Sequence, residues 1–249
     1  MTDSGPAYGS LRRNGVLRVH RSETEWLSTG WNGGRRTADC AYNVSVPEGW
    51  DRTDLGAYVE ERLEQAEFSH DSDGPVLLTG VDQADARGAR YGPVTAYATA
   101  GISNPAALPM DPDQQSVNDD PLSDSSSPPG LGTVNVIVGT TRALAPGALA
   151  NLIAVAAEAK AATLLAETGF PGTTTDAIVV GHDPSGEGVE FSGSGTDVGA
   201  ATRACVREAV SASLRAHYEA RDVTLPDSFA DATYGVSTDV RATVFRPSR

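Results

Sequence analysis

The sequence predicts an α/β or α+β fold, a single compact domain in which several helices pack on a mixed sheet. Three observations lead there. Short apolar runs of strand type interchange with long stretches of helical period. The 249 residues suffice for one sizeable core. No internal repeat divides the chain.

In order, residues 1–14 read as a flexible N-terminus and 15–249 as the domain. Gly15–His20 and Asp39–Val46 alternate apolar and polar residues as strands do. Thr53–Phe68 predicts a helix, with Asp54 near its start and Leu55, Tyr58, Val59 and Leu63 on one face. Val76–Gly80 and Val94–Gly101 are short apolar strands. Asp111–Gly130 is almost devoid of apolar side chains and rich in Asp, Ser and Pro, so it predicts a mobile loop. Thr133–Val138 is a strand. Pro146 opens a long helix to about Glu167, which Gly169 and Pro171 stop. Asp176–Val180 is a strand, and the turn Gly193–Thr196 leads into a helix over Val198–Ala220. Gly235–Val244 would add an edge strand.

Charge bounds the function. With 33 acidic against 19 basic residues the net charge is −14, and Lys160 is the one lysine. An acidic, lysine-poor surface suits concentrated salt, where screening makes self-repulsion cheap. No basic stripe exists to neutralise phosphates, which argues against nucleic acid. No run approaches ~18 unbroken apolar residues and no leader pattern opens the chain, so neither membrane insertion nor secretion is expected, and the cytoplasm is. Cys40 and Cys205 lie far apart and read as core residues rather than a disulfide or thiolate site. His20, His70, His182 and His217 are scattered, His70 and His217 among charges and so expected to face solvent. Zincin, nucleophile-elbow and P-loop signatures are absent, and no metal site is expected.

Five clusters of Gly with Ser, Thr or Asn mark strand ends and turns: Ser28–Gly34, Thr99–Asn104, Gly132–Asn135, Gly172–Asp176 and Ser192–Thr196. Each alone reads as a capped turn. Together they suit an uncharged ligand rich in amides, because Gly admits close backbone approach and the hydroxyl and amide groups supply hydrogen bonds. Lys160 shares the apolar face of its helix with Leu149, Leu152, Ile153, Ala156 and Leu164. It is either paired across the fold, with Asp176 or Asp197, or a snorkelling side chain. Glu158 points to the opposite face.

These clusters, in this order, resemble the adenosylcobinamide amidohydrolase family. The carrying segments are Thr99–Ala106, Gly132–Ile153, Ala156–Gly169, Thr173–Gly181 and Gly193–Ala201, with STGWNGG as the N-terminal Gly-rich turn. One departure is Thr174, where the family's run has Gly. The resemblance implies hydrolysis of the amide joining aminopropanol to the corrin of adenosylcobinamide, giving adenosylcobyric acid for cobalamin salvage. It implies a corrinoid substrate that carries its own cobalt, no further cofactor, and an archaeal salvage route, which with the acidic, lysine-poor composition suggests a halophilic archaeal source. The alternatives are a non-catalytic corrinoid-binding protein or a hydrolase of a different amide. Candidate catalytic residues are Lys160, Asp176, Asn135, Asn104, Glu158 and Thr133. Candidate substrate-binding residues are Ser103, Thr175, Gly195, Thr196, Gly33 and Gly34. Water activated by Asp176 or Glu158 competes with a hydroxyl of Thr133 or Thr175 as the nucleophile. Assembly as a homo-oligomer is left open.

Overall fold

The computed structural model describes residues 7–47, 49–68, 73–111, 132–219, 232 and 235–247. In chain order the strands are β1 (Gly9–Arg13), β2 (Val16–Ser28), β3 (Gly34–Ser45), β4 (Val76–Thr79), β5 (Arg87–Tyr91), β6 (Val94–Ala100), β7 (Ala106–Ala107), β8 (Val134–Thr140), β9 (Ala143–Leu144), β10 (Ala177–His182), β11 (Gly188–Val189) and β12 (Val236–Ser237). The helices are α1 (Leu55–Gln65), α2 (Pro146–Thr168) and α3 (Asp197–Glu219). The main sheet runs β4-β3-β2-β10-β8-β6-β5, with β1 also on β2. It is mixed, since β8 and β10 are parallel while β6 and β8 are antiparallel. The α/β class expected from the sequence is what the chain adopts.

Strand β2 makes the sheet turn back on itself. Its 13 residues carry a bulge between His20 and Thr24, with Glu23 in the left-handed region at φ 54°. Bulges bend a strand and raise its twist. Before the bulge β2 pairs with β1, and after it with β10. As a result, Leu17, Val19, Trp26, Ala41 and Leu77 pack against Tyr97, Ile137 and Val179. The other face of β6, β8 and β10 presents Ala96, Ala98, Val136, Val138, Ile178 and Val180 to α2 and α3. Helix α1 covers the outer face of β3 and β4, setting Tyr58, Val59 and Leu63 on Cys40, Tyr42, Val44 and Val76. Two β layers thus lie between two helical layers.

Pro146 begins α2, and Gly169 ends it in the left-handed region at φ 78°, its N–H bonded to the Leu165 carbonyl. By length and composition α2 would suffice to cross a membrane. Here it packs along α3 and β10 and buries Leu149, Leu152, Ala156 and Leu164.

Three expectations are corrected. Residues 7–13 are not a flexible tail. Tyr8 is fully buried and donates to the Thr140 carbonyl at 3.0 Å, and β1 pairs along β2. Alternation was too short there to show in the sequence. The tail forms a two-residue strand at Val236–Ser237, paired with β7, in place of an edge strand over Gly235–Val244. His217 is not solvent-facing, because its Nδ1 lies 2.9 Å from Asp85 Oδ2. Residues 1–6, 112–130 of the expected loop, and His70 lie outside the described residues. Cys40 and Cys205 are buried and form no disulfide, as core residues.

Candidate active site

Parallel pairing of β8 and β10, with Ala177 opposite Asn135, brings the first residues of both strands to one end of the sheet. The end of β2 joins them there. Thr29 Oγ1 accepts from the Ile178 N–H at 2.9 Å. The end of β4 arrives from the opposite layer. A cavity of about 310 Å³ opens between them, lined among others by Thr29, Trp31, Trp50, Thr79, Thr133, Thr175 and Asp176.

Asp176 is the hub of its polar wall. Its Oδ1 accepts from the Val134 N–H at 2.8 Å and from Thr173 Oγ1, and its Oδ2 from the Thr173 N–H at 3.1 Å and from Lys160 Nζ. A carboxylate offers about four lone-pair sites, and all four are engaged. Lys160 is therefore buried and paired with Asp176, one of the two partners its apolar position predicted. The ammonium lies behind the carboxylate and away from the cavity lining. Gly172 permits the pair, since a Cβ there would sit 2.6 Å from Asp176 Oδ2.

Beside this hub, Thr133 Oγ1 and Thr175 Oγ1 are 3.0 Å apart, and Thr175 Oγ1 also reaches the Gly132 carbonyl at 3.3 Å. Thr133 is buried and Thr175 exposed. Asn104 is fully buried. Its Nδ2 donates to Thr174 Oγ1 at 2.6 Å and reaches Thr175 Oγ1 at 3.5 Å, while its Oδ1 has no donor among the described residues. A backbone ladder holds it, in which the Thr174 N–H donates to the Asn104 carbonyl and the Ala106 N–H to the Gly172 carbonyl. Ser103 is exposed and packs against Gly132.

The same end carries a clamp that the sequence did not reveal. Tyr218 Oη accepts from the Ile102 N–H at 3.0 Å and donates to the Ile102 carbonyl at 3.2 Å. Ser213 Oγ accepts from the Ala100 N–H at 2.9 Å. His217, held by buried Asp85, abuts Gly101. The last turns of α3 thus fix the segment that delivers Ser103 and Asn104. Burial keeps the Tyr218 phenol above its ordinary range, although its bond to Ile102 opposes that.

Several candidates are placed elsewhere. Asn135 is adjacent but fully committed between the β layers. Its Nδ2 donates to Asn43 Oδ1 at 3.0 Å and the Leu78 carbonyl at 2.8 Å, and its Oδ1 accepts from the Ala177 N–H at 3.2 Å. Glu158 is exposed on the outer side of α2, 3.4 Å from Arg203, because it sits two residues from Lys160 on a 3.6-residue period. Gly195 and Thr196 lie at the other end of the sheet. Thr196 caps α3, accepting from the Gly199 N–H at 3.0 Å, and the preceding Ser192 donates to Ala148 in the first turn of α2. Lys160 is 12 residues further along α2, about 18 Å away at the helical rise. Gly33 and Gly34 close the β2–β3 hairpin that delivers Thr29 and Trp31, and neither lines the cavity. Trp50, Leu78 and Thr79 line it without having been singled out. They stand far from the polar clusters in sequence, and only the folding-over of the sheet brings them there.

The family model described as adenosylcobinamide amidohydrolase matches residues 3–222. A curated adenosylcobinamide amidohydrolase of Halobacterium salinarum is 57% identical over 94% of this chain and 97% of its own length. One of Methanosarcina mazei is 27% identical over 79% of this chain and 92% of its own. Among solved structures, a Burkholderia β-aminopeptidase is 13% identical with a TM-score of 0.40, covering 85% of this chain and 83% of that one. An L-aminopeptidase D-Ala-esterase/amidase of Ochrobactrum anthropi is 12% identical with a TM-score of 0.39, covering 84% and 83%. At that distance the two structures say nothing about the site. The full-length match at 57% identity and the family model agree, and the chain belongs to the adenosylcobinamide amidohydrolase family.

Proposed function

We propose that the protein hydrolyses adenosylcobinamide to adenosylcobyric acid and aminopropanol at the cavity between β2, β4, β8 and β10, serving corrinoid salvage. The observation that carries the assignment to this site is the Thr133–Thr175 hydroxyl pair facing the cavity beside Asp176. With every acceptor site of Asp176 occupied and Glu158 on the outer surface, neither carboxylate is placed to activate water. Thr133 is assigned as the nucleophile. Its oxygen bonds to the amide carbon, the carbon–nitrogen bond breaks, and the amine departs with the hydroxyl proton. Water then cleaves the resulting ester and restores Thr133. The cobalt is part of the substrate. The relative from a halophile and the −14 charge support work in concentrated salt, and two buried cysteines that form no disulfide suit a reducing cytoplasm.

The test is incubation with adenosylcobinamide in molar salt, following the corrinoid and released amine by chromatography and mass. Thr133→Ala should lose turnover and Thr133→Ser should keep part of it. Tight corrinoid binding without amine release would favour a binding protein instead.

A further inference from the structure

Resting on that hydrolase reading, we infer that the cavity is the subsite of the leaving amine. It encloses the small hydroxyalkylamine end of the amide arm and leaves the corrin outside, so size selection acts on the amine. Volume comes first. About 310 Å³ is at the bottom of the range that holds drug-sized ligands. A corrin with its amide arms and adenosyl group is far larger than such ligands. Only an arm can enter.

The second argument is the asymmetry of the walls. Thr133, Thr175 and Asp176 form one side, and Trp31, Trp50, Val46 and Leu78 supply an apolar lining that offers a corrin-borne carboxylate nothing. A short aliphatic chain with one hydroxyl suits it. An amine that leaves and takes up a proton also meets indole faces, which attract cations.

The third is the rigidity of the wall. Trp50 packs on Tyr58 with ring centroids 5.1 Å apart. Tyr58 lies under Arg52 and donates through Oη to the Ser45 carbonyl at 3.2 Å. Trp31 approaches Gly56 of the same helix. Helix α1 thus backs Trp50, and that part of the wall cannot retreat for a larger group without moving a core helix, while Trp31 stands at the exposed rim.

The experiment compares two substrates, adenosylcobinamide and an analogue whose aminopropanol hydroxyl carries a benzoyl group. Each is given to the parent protein, Trp50→Ala, Trp50→Phe and Trp31→Ala in molar salt. The parent should prefer the natural arm by ~100-fold in kcat/KM, the scale on which a pocket rejects extra bulk. Trp50→Ala should narrow that preference at least tenfold and Trp50→Phe should retain most of it. Trp31→Ala, a change at a partly exposed rim residue, gives the same reading should Trp50→Ala fail to fold. Free aminopropanol should compete with substrate. Equal cleavage of both substrates by the parent, or an unchanged preference in the folded alanine variants, overturns the inference and leaves the hydrolase reading standing. Absence of amine release from either substrate overturns the hydrolase reading itself.

Discussion

Lys160 on α2 and Asp176 at the start of β10 face each other with side chains only 10% exposed, and Gly172 closes over both. Removing one member of a buried pair typically costs ~3–5 kcal/mol, since it strands the other charge. Asp176 would keep its donors from Val134 and Thr173, so Lys160→Met should sit at the lower end, about 3 kcal/mol. The loss should reach catalysis too, because the turn that Asp176 ties together carries Thr175. Gly172→Ala should reproduce part of both effects by pushing the pair apart. Denaturant unfolding and turnover are the measurements. A methionine variant with full stability and full activity would mean that the lysine only fills space.

Asn135 separates a structural role from a chemical one. Leucine in its place would leave Asn43 Oδ1, the Leu78 carbonyl and the Ala177 N–H unsatisfied between the β layers. At ~1–3 kcal/mol per stranded group, partly relieved by relaxation, the expected loss is about 3 kcal/mol. For folded Asn135→Leu protein in molar salt, KM should stay near that of the parent. A stable variant with greatly reduced kcat would return Asn135 to the reacting centre.

How much of this was legible in the chain follows from the range of the interactions. The long helices and central strands showed because their periods are local. The Lys160 pairing showed because a charge on an apolar stripe demands a partner. The clusters at Thr99–Asn104, Gly132–Asn135 and Gly172–Asp176 converge because parallel pairing of β8 and β10 aligns their starts, and antiparallel pairing of β6 with β8 brings the end of β6 to the same place. Thr196 misled because a helix cap and a ligand loop use the same residues. Trp50 and the Asp85–His217 pair were invisible, since each depends on contacts made only after β2 bends.

Tyr218→Phe tests the clamp on the catalytic segment. The phenol satisfies both the N–H and the carbonyl of Ile102. Its loss should cost about 1–2 kcal/mol and release the segment that positions Asn104. The expected signature is a several-fold fall in kcat, with a pH–rate profile unchanged in shape because the residue takes no part in proton transfer. A shifted profile would assign Tyr218 a chemical role.

Glu25 makes part of the stability depend on pH. His182 Nδ1 accepts from the Leu144 N–H at 2.9 Å, which leaves the ring proton on Nε2 to reach Glu25 Oε1 at 3.0 Å. Arg35 also pairs with Glu25. Burial, the largest single influence, raises the Glu25 carboxyl, but the bonds from His182 and Arg35 together bring it below its ordinary value. A carboxyl depressed in the folded state contributes stability above its unfolded pKa of about 4.3, and loses that contribution as pH falls through the folded value. Glu25→Gln keeps an acceptor for His182 and removes the charge. Solvent near Arg35 limits the effect, so the variant should be about 1 kcal/mol less stable than the parent at pH 7. The difference should shrink steadily below pH ~4 as the parent's carboxylate protonates. Denaturant titrations at matched high salt across this range would show it. A gap that stays constant or widens in acid would mean that the Glu25 charge contributes nothing and that its loss acts through packing alone.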